Sequence, residues 1–494
     1  MPLISSEIVI FLICLKKILI TFTTLNSIIE LIMETLTNTL RDSKAARWTA
    51  LLIVAFTMFA GYYLTDVMSP LERMLDKELH WSATSYGWFS GSYSWFNVFF
   101  FFLIFGGIIL DKMGVRFTGI VSGIVMIIGA GIKYYAVSTH SLDGQTWTII
   151  WTFPAQVWLA SIGFAIFGVG CEVAGVTVSK IIVKWFKGHE MALAMGLQLA
   201  IARLGTAVAL SSSLPVALKF GHVSAPVLIC LILLCIGLLS FFVYCVQDKK
   251  LDKSLALAAE GNDEEPEEAF KIKDLWSIVS NRGWWYIAIL CVLFYSAVFP
   301  FLKYATNLMI NKFGVDDYYA GLIPSLLPFG NILLTPFFGS LYDKKGKGAT
   351  IMIIGSILII LVHFLFAIPL FNSYFFAIFL ILILGIGFSL VPSAMWPSVP
   401  KIIPERQLGT AYALIFWVQN IGLWGVPFLI GWVLDKYCVT GKVLVEGSYV
   451  TTYNYTLPMF IFMSFGIIAL VFAFLLKAED KKKGYGLELP NIEK

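Results

Sequence analysis

The chain has 494 residues, 59% of them hydrophobic and only 13% charged, with a mean hydropathy of +0.83. A soluble domain carries about 25% charged residues, so the composition excludes an ordinary soluble protein and predicts an all-α membrane protein with many spans. The formal net charge of +4 is divided among loops and forms no single basic patch, which argues against a nucleic-acid partner.

Residues 1–45 read as an N-terminal extension. Its IVIFLICLKKILITF stretch is apolar but interrupted by Lys16 and Lys17, and fits an interfacial helix or an upstream segment before a working start at Met33. Beyond it, apolar stretches of about 20 residues predict twelve helices. Six lie near 48–68, 83–110, 117–138, 151–182, 190–218 and 222–246, and six near 284–311, 318–341, 349–370, 373–399, 409–434 and 455–477. They group into a six-helix bundle over 46–247 and a second over 283–478. Between them, 248–282 is a charged linker containing GNDEEPEE and reads as a solvated tether; 479–494 is a charged tail.

Lys and Arg fall on alternate loops: Arg41 to Arg47, Lys112 and Arg116, Lys180 to Lys187, the central linker, Lys344 to Lys347, Lys401 with Arg406, and Lys481 to Lys483. The positive-inside rule puts these loops and both termini in the cytoplasm. Two basic-side loops share a pattern. Gly107-Ile-Ile-Leu-Asp111-Lys112-Met-Gly114 follows the second predicted helix, and Gly339-Ser-Leu-Tyr-Asp343-Lys344-Lys-Gly346 follows the eighth. Parallel halves related by an axis along the membrane normal produce this repeat.

Seven cysteines lie mostly in apolar runs without CxxC spacing and read as free, small hydrophobes. The five histidines are scattered. No metal-ligand cluster, cofactor motif or nucleophile–base set appears at membrane depth, so no metal, cofactor or enzymatic activity is expected.

Two opposite charges interrupt apolar segments. Glu172 stands 15 residues before Lys187 in the basic loop, and Arg203 stands 16 after it. At 1.5 Å per residue both lie roughly 20–25 Å from that turn, well inside a hydrocarbon layer about 30 Å thick. Ionisable residues there mark functional sites by default. A carboxylate facing a guanidinium across a cavity suits a ligand with both an amine and a carboxylate. A structural ion pair between the fourth and fifth helices is the alternative, poorly repaid if dry.

Other candidates carry both a binding and a packing reading. Asp66 closes the first helix, as a wall charge or proton site, or as a solvated helix end. Tyr62, Tyr63, Tyr93 and Trp95 fit ligand contact or packing, packing being the commoner role of membrane aromatics. Trp396 and the adjacent amides Gln419 and Asn420 are better placed for the cavity, although adjacent residues point about 100° apart, so only one of the two amides is expected to touch ligand. Lys303 fits binding of a carboxylate or, as the favoured reading, snorkelling to the outer surface, and Lys133 and His363, towards helix ends, are read the same way. Prolines concentrate in the second half, at 300, 324, 328, 336, 392, 397 and 400, as kinks in packed or wetted helices.

The repeated loop, helix count and linker resemble the major facilitator superfamily. The stretches GSYSWFNV (91–98), WFKGHEMALAMGLQLAIARLG (185–205), AVFPF (297–301) and MWPSVPKIIPERQLGTAYALIFWVQNIGL (395–423) resemble its lysosomal dipeptide transporter branch. The resemblance implies a small-peptide transporter working by alternating access. Glu172 and Arg203 would hold the peptide's two ends, and Asp111, Lys112, Arg116, Asp343 and Lys344 would brace a gate. The branch's paired glycines before the glutamate are here Gly170-Cys171, a small departure. The resemblance leans towards movement without a coupling ion and leaves an accessory subunit open. Eukaryotic members carry an N-terminal sorting signal; no acidic dileucine is found here, which favours a bacterial inner membrane. An organic-anion transporter and a non-transporting receptor on the same fold remain as rivals.

Overall fold

The structure, a computed structural model, describes residues 40–491 apart from 188, 259–271, 371, 405, 406 and 446. The extension through residue 39 and the GNDEEPEE segment lie outside the described residues. The helices are α1 (Lys44–Asp66), α2 (Glu72–Leu79), α3 (Ala83–Ser92), α4 (Trp95–Phe99), α5 (Phe102–Ser138), α6 (Ala155–Phe186), α7 (Met191–Phe220) and α8 (Ser224–Ala258). They continue with α9 (Ile272–Val279), α10 (Arg282–Phe313), α11 (Leu322–Lys345), α12 (Gly348–Ala367), α13 (Tyr374–Ile402), α14 (Leu408–Tyr437) and α15 (Thr456–Lys483). Two short antiparallel hairpins, β1 (Thr146–Thr148) with β2 (Thr152–Pro154) and β3 (Val439–Val445) with β4 (Ser448–Tyr453), lie in connections at the end opposite the basic loops. We call the two ends the basic end and the hairpin end.

Among the described residues eleven helices are long and apolar enough to cross a membrane. The element missing from that set is the predicted second helix, and here the sequence reading is corrected. Residues 83–110 are not one helix: α3 ends at Ser92, α4 is a short piece, and Phe101 takes a left-handed conformation (φ 55°) before α5 begins. The apolar run carries no proline or helix-terminating glycine at the breaks, so hydropathy alone reads it as continuous. Its freed polar groups find partners on α14: Ser94 Oγ donates to Asn420 Oδ1 (2.7 Å) and Trp417 Nε1 donates to the Val98 carbonyl (3.0 Å). α5 then runs through Gly114 (φ 77°, ψ 173°) into the predicted third helix. Gly346, which ends the second copy of the repeated loop, also has positive φ (68°), so both copies end on a turn that favours glycine. α8 continues to Ala258, through the first eleven residues of the stretch read as linker.

Within the first half α5 packs on α6 and α8, and α1 on α7 and α8; within the second, α12 packs on α13 and α15, and α10 on α14 and α15. The halves meet along two equivalent seams, α3 against α14 and α7 against α11. Both need glycine: a Cβ on Gly91 would lie 2.2 Å from the Trp424 carbonyl oxygen, and one on Gly321 2.1 Å from that of Leu210. Polar ties across the hairpin end include Arg73 to Asp317 (2.7 Å), the Thr84 amide to Asp435 (2.7 Å) and the Thr451 amide to Asp76 (2.8 Å). The described cysteines are all free.

Candidate functional site

A cavity of about 660 Å³ lies between the bundles, within the roughly 300–1,000 Å³ range of small-molecule sites. Its wall is buried towards the hairpin end at Asp66 and Thr206, and exposed towards the basic end at Leu199, Pro336 and Phe416. The space is therefore shut where the seams are tight and widens towards the basic loops. Of the ten residues other than lysine and histidine offered by the sequence for ligand contact, seven line it: Tyr62, Asp66, Tyr93, Glu172, Arg203, Trp396 and Gln419; Tyr63, bonded to Ser212, and Trp95, packed on Trp88 and Trp158, do not. Asn420 is buried and bonds instead to Ser94 and to the Phe416 carbonyl.

Glu172 projects from α6. The Tyr93 hydroxyl, at the break between α3 and α4, donates to Glu172 Oε1 (2.9 Å). Arg203 projects from α7 into an aromatic cage, with its guanidinium carbon 5.3 Å from the Phe299 ring centre, 5.7 Å from Phe388 and 5.8 Å from Tyr62. Such rings stabilise a cation without neutralising it and leave its donors free for an anion. Among the described residues Glu172 and Arg203 form no ion pair with each other, so the structural pair considered from the sequence is not made in this state.

Trp396 from α13 stacks on Phe416 (4.9 Å between centres) and donates to Tyr295 Oη (3.2 Å). Its placement depends on a proline. Pro400 lacks the N–H that would bond the Trp396 carbonyl one turn back, and the Tyr412 hydroxyl donates there at 3.0 Å. Gln419 Oε1 accepts from Cys291 Sγ (3.4 Å).

Three lysine and histidine expectations are overturned. Lys303 does not snorkel outward. Its ammonium bonds Asp66 Oδ1 (2.7 Å) and the Thr65 carbonyl (2.8 Å) in the cavity wall, while Thr206 Oγ1 donates to Asp66 Oδ2 (2.8 Å). Asp66 is thus a bonded wall charge and not a solvated helix end. Lys133 is fully buried, donates to the Leu64 carbonyl (3.2 Å) and lies 4.3 Å from the Phe164 ring centre. His363 is fully buried with Nε2 2.9 Å from the Ala297 carbonyl. In each case a partner distant in sequence makes burial less costly than reaching for water. Sequence reasoning missed the Asp66–Lys303 pair because its members are 237 residues apart; two charges at matched distances from the hairpin-end loops were the available signal.

Three of the five basic-end candidates, Asp111, Arg116 and Asp343, are bonded within their own halves. Asp111 accepts from Lys180 (2.6 Å), and Arg116 bonds Asp252 (2.7 Å) and Asp248 (3.2 Å), the latter also held by Lys184 (2.8 Å). Lys112 and Lys344 are exposed. Asp343 is bonded by Asn491 of the tail, whose amide side chain donates to Asp343 Oδ1 (2.8 Å).

The chain matches the Major Facilitator Superfamily over residues 48–427. Its relatives include the lysosomal dipeptide transporter MFSD1 of Homo sapiens, 29% identical over 406 residues that cover 79% of this chain and 81% of the relative. The MFSD1 protein of Danio rerio is 28% identical over 420 residues, 81% and 82% of the two chains. Among solved structures, a bacterial homologue of the human lysosomal transporter Spinster, in an inward-facing and unoccupied conformation, superposes with a TM-score of 0.64 at 14% identity, covering 92% of this chain and 99% of that one. The nucleoside transporter NupG gives 0.61 at 14% identity, covering 88% and 99%. At such identities these two likenesses speak for the fold alone. The chain belongs to the Major Facilitator Superfamily of membrane transporters.

Proposed function

We propose that this transporter moves small peptides, dipeptides above all, by alternating access, with Glu172 holding the amino end and Arg203 the carboxyl end. One observation carries the reading: a carboxylate and a guanidinium line the same cavity without neutralising each other. A zwitterion meets both needs, since a carboxylate accepts from an ammonium and a guanidinium forks onto a carboxylate. Trp396, Gln419, Tyr62 and Tyr93 would form the walls that exclude water around the peptide. The names of the MFSD1 relatives support the same cargo class.

The organic-anion alternative needs a second unpaired cavity cation. Among the described residues Lys303 is the only other lining cation and is held by Asp66, which weakens that alternative. We read the basic end as cytoplasmic, with the cavity opening there. The loop clusters at Asp111, Lys112, Arg116, Asp343 and Lys344 would act as the gate braces that must rearrange when the bundles rock. Transport without a coupling ion is the simplest scheme for a cavity whose four charges balance.

A thermal-stabilisation panel on the purified protein tests the cargo class. Ala-Ala and other dipeptides are expected to raise the melting temperature, while free amino acids, sugar phosphates and monocarboxylates do not. An anion shift without a dipeptide shift would overturn the reading.

A further inference from the structure

The Asp66–Lys303 pair lies one helical turn from Arg203 on three helices at once. On α7, Arg203 precedes Thr206 by three residues; on α1, Tyr62 precedes Asp66 by four; on α10, Phe299 precedes Lys303 by four. Tyr62 and Phe299 flank the guanidinium, and Thr206, Asp66 and Lys303 are bonded to one another. All three helices run from the basic end to the hairpin end, so the pair sits about 5–6 Å beyond Arg203 on the closed side of the cavity.

This place is built to hold cations. It is the C-terminal end of α1, where the helix dipole is negative and the last carbonyls seek donors. Lys133 of the first bundle takes the Leu64 carbonyl, and Lys303 of the second takes the Thr65 carbonyl and the Asp66 carboxylate. Lys133 is resident in its own bundle. Lys303 reaches this helix end from the other bundle.

We infer that Asp66 is the subsite for the side chain of the residue bearing the cargo's carboxylate, selecting a cationic side chain that replaces Lys303 and so releases this tie between the bundles. The inference rests on the reading of Arg203 as the holder of the peptide carboxylate. With that carboxylate on Arg203, the adjacent side chain starts within one turn of Asp66, a step that the four-carbon stem of lysine spans. A cation arriving there finds a carboxylate and a helix end already arranged. An anionic side chain would have to draw Lys303 away and leave Asp66 buried without a counter-charge, so it is disfavoured. The side chain of the amino-terminal residue, held on the Glu172 side, has no such partner among the cavity-lining charges.

Equilibrium binding of Ala-Lys, Lys-Ala and Ala-Ala to the purified full-length protein tests this, using the wild type, Lys303→Gln, Asp66→Asn and the double variant. The double variant removes both charges of the pair together and serves if either single variant fails to fold. The wild type is expected to bind Ala-Lys at least threefold more tightly than Lys-Ala. Lys303→Gln should raise that ratio to tenfold or more, and Asp66→Asn and the double variant should bring it to within twofold of one. A ratio unchanged by these substitutions, or a preference for Lys-Ala, would overturn the subsite while leaving the dipeptide reading intact. Failure of the wild type to bind any of the three would overturn both.

Discussion

Tyr93 reaches Glu172 because α6 carries glycine one turn before the glutamate. A Cβ on Gly168 would lie 2.1 Å from the Tyr93 carbonyl oxygen, and this close approach sets the 2.9 Å hydrogen bond from the Tyr93 hydroxyl to Glu172 Oε1. Gly168→Ala should push α6 from the α3–α4 break, destabilise the protein by about 1–3 kcal/mol and weaken dipeptide binding together. Gly107→Ala, with open space at its Cβ, is the control and should be neutral or slightly stabilising. Unfolding of both variants in detergent, beside a binding titration, checks this pairing.

The cage around Arg203 is shaped for a flat cation. Arg203→Lys keeps the charge but gives up the stacking between Phe299, Phe388 and Tyr62 and the two-pronged hold on a carboxylate. Dipeptide affinity should fall at least tenfold, about 1.4 kcal/mol. Affinity for the same peptide amidated at its C-terminus, weak already, should change far less. Calorimetric titration with the two peptides separates a lost carboxylate contact from a general loosening.

Asp435 caps the start of α3 from across the seam. It accepts from the Ala83 amide (3.1 Å), the Thr84 amide (2.7 Å) and the Tyr453 hydroxyl (3.0 Å), and a carboxylate at a helix N-terminus is favoured by the dipole. Asp435→Asn should loosen closure at the hairpin end. A cysteine placed at Ser90, which lines the cavity and is buried, should then react faster with a membrane-impermeant thiol reagent applied from that side. Unchanged labelling would remove Asp435 from the closure.

The tail segment after α15 is a structural part of the basic end. Glu488 accepts from the Thr350 amide (2.9 Å) and hydroxyl (2.8 Å), Lys401 donates to the Gly486 and Leu489 carbonyls, and Leu487 is fully buried. Glu488→Ala should lower stability by about 1–2 kcal/mol through two lost hydrogen bonds from partly buried groups. Truncation after Gly484 should lower it further, measured as the shift in unfolding midpoint.

The helical architecture and the two principal charges were legible because each rests on a local signal: apolar length, loop charge, and distance from a turn. Gln419 and Asn420 show the same local logic, since adjacent residues on α14 face different ways and only Gln419 lines the cavity. The breaks in residues 83–110 were not legible, because the Asn420 amide oxygen and the Trp417 indole N–H that partner the Ser94 hydroxyl and the Val98 carbonyl come from α14, more than 300 residues away. Lys303, Lys133 and His363 were misread for the same reason. A polar residue in an apolar run shows its cost of burial in the sequence, but its compensating partner appears only when the bundles are assembled.

The central claim is that Glu172 and Arg203 hold opposite ends of one peptide. Binding of Ala-Ala, N-acetyl-Ala-Ala and Ala-Ala-amide to the wild type, Glu172→Gln and Arg203→Ala tests it most directly. The account predicts that each blocked peptide binds the wild type at least tenfold more weakly than Ala-Ala. It also predicts that Glu172→Gln abolishes the penalty for acetylation but keeps that for amidation, while Arg203→Ala does the reverse. Blocked peptides that bind as well as Ala-Ala, or variants that weaken all three peptides equally, would contradict it.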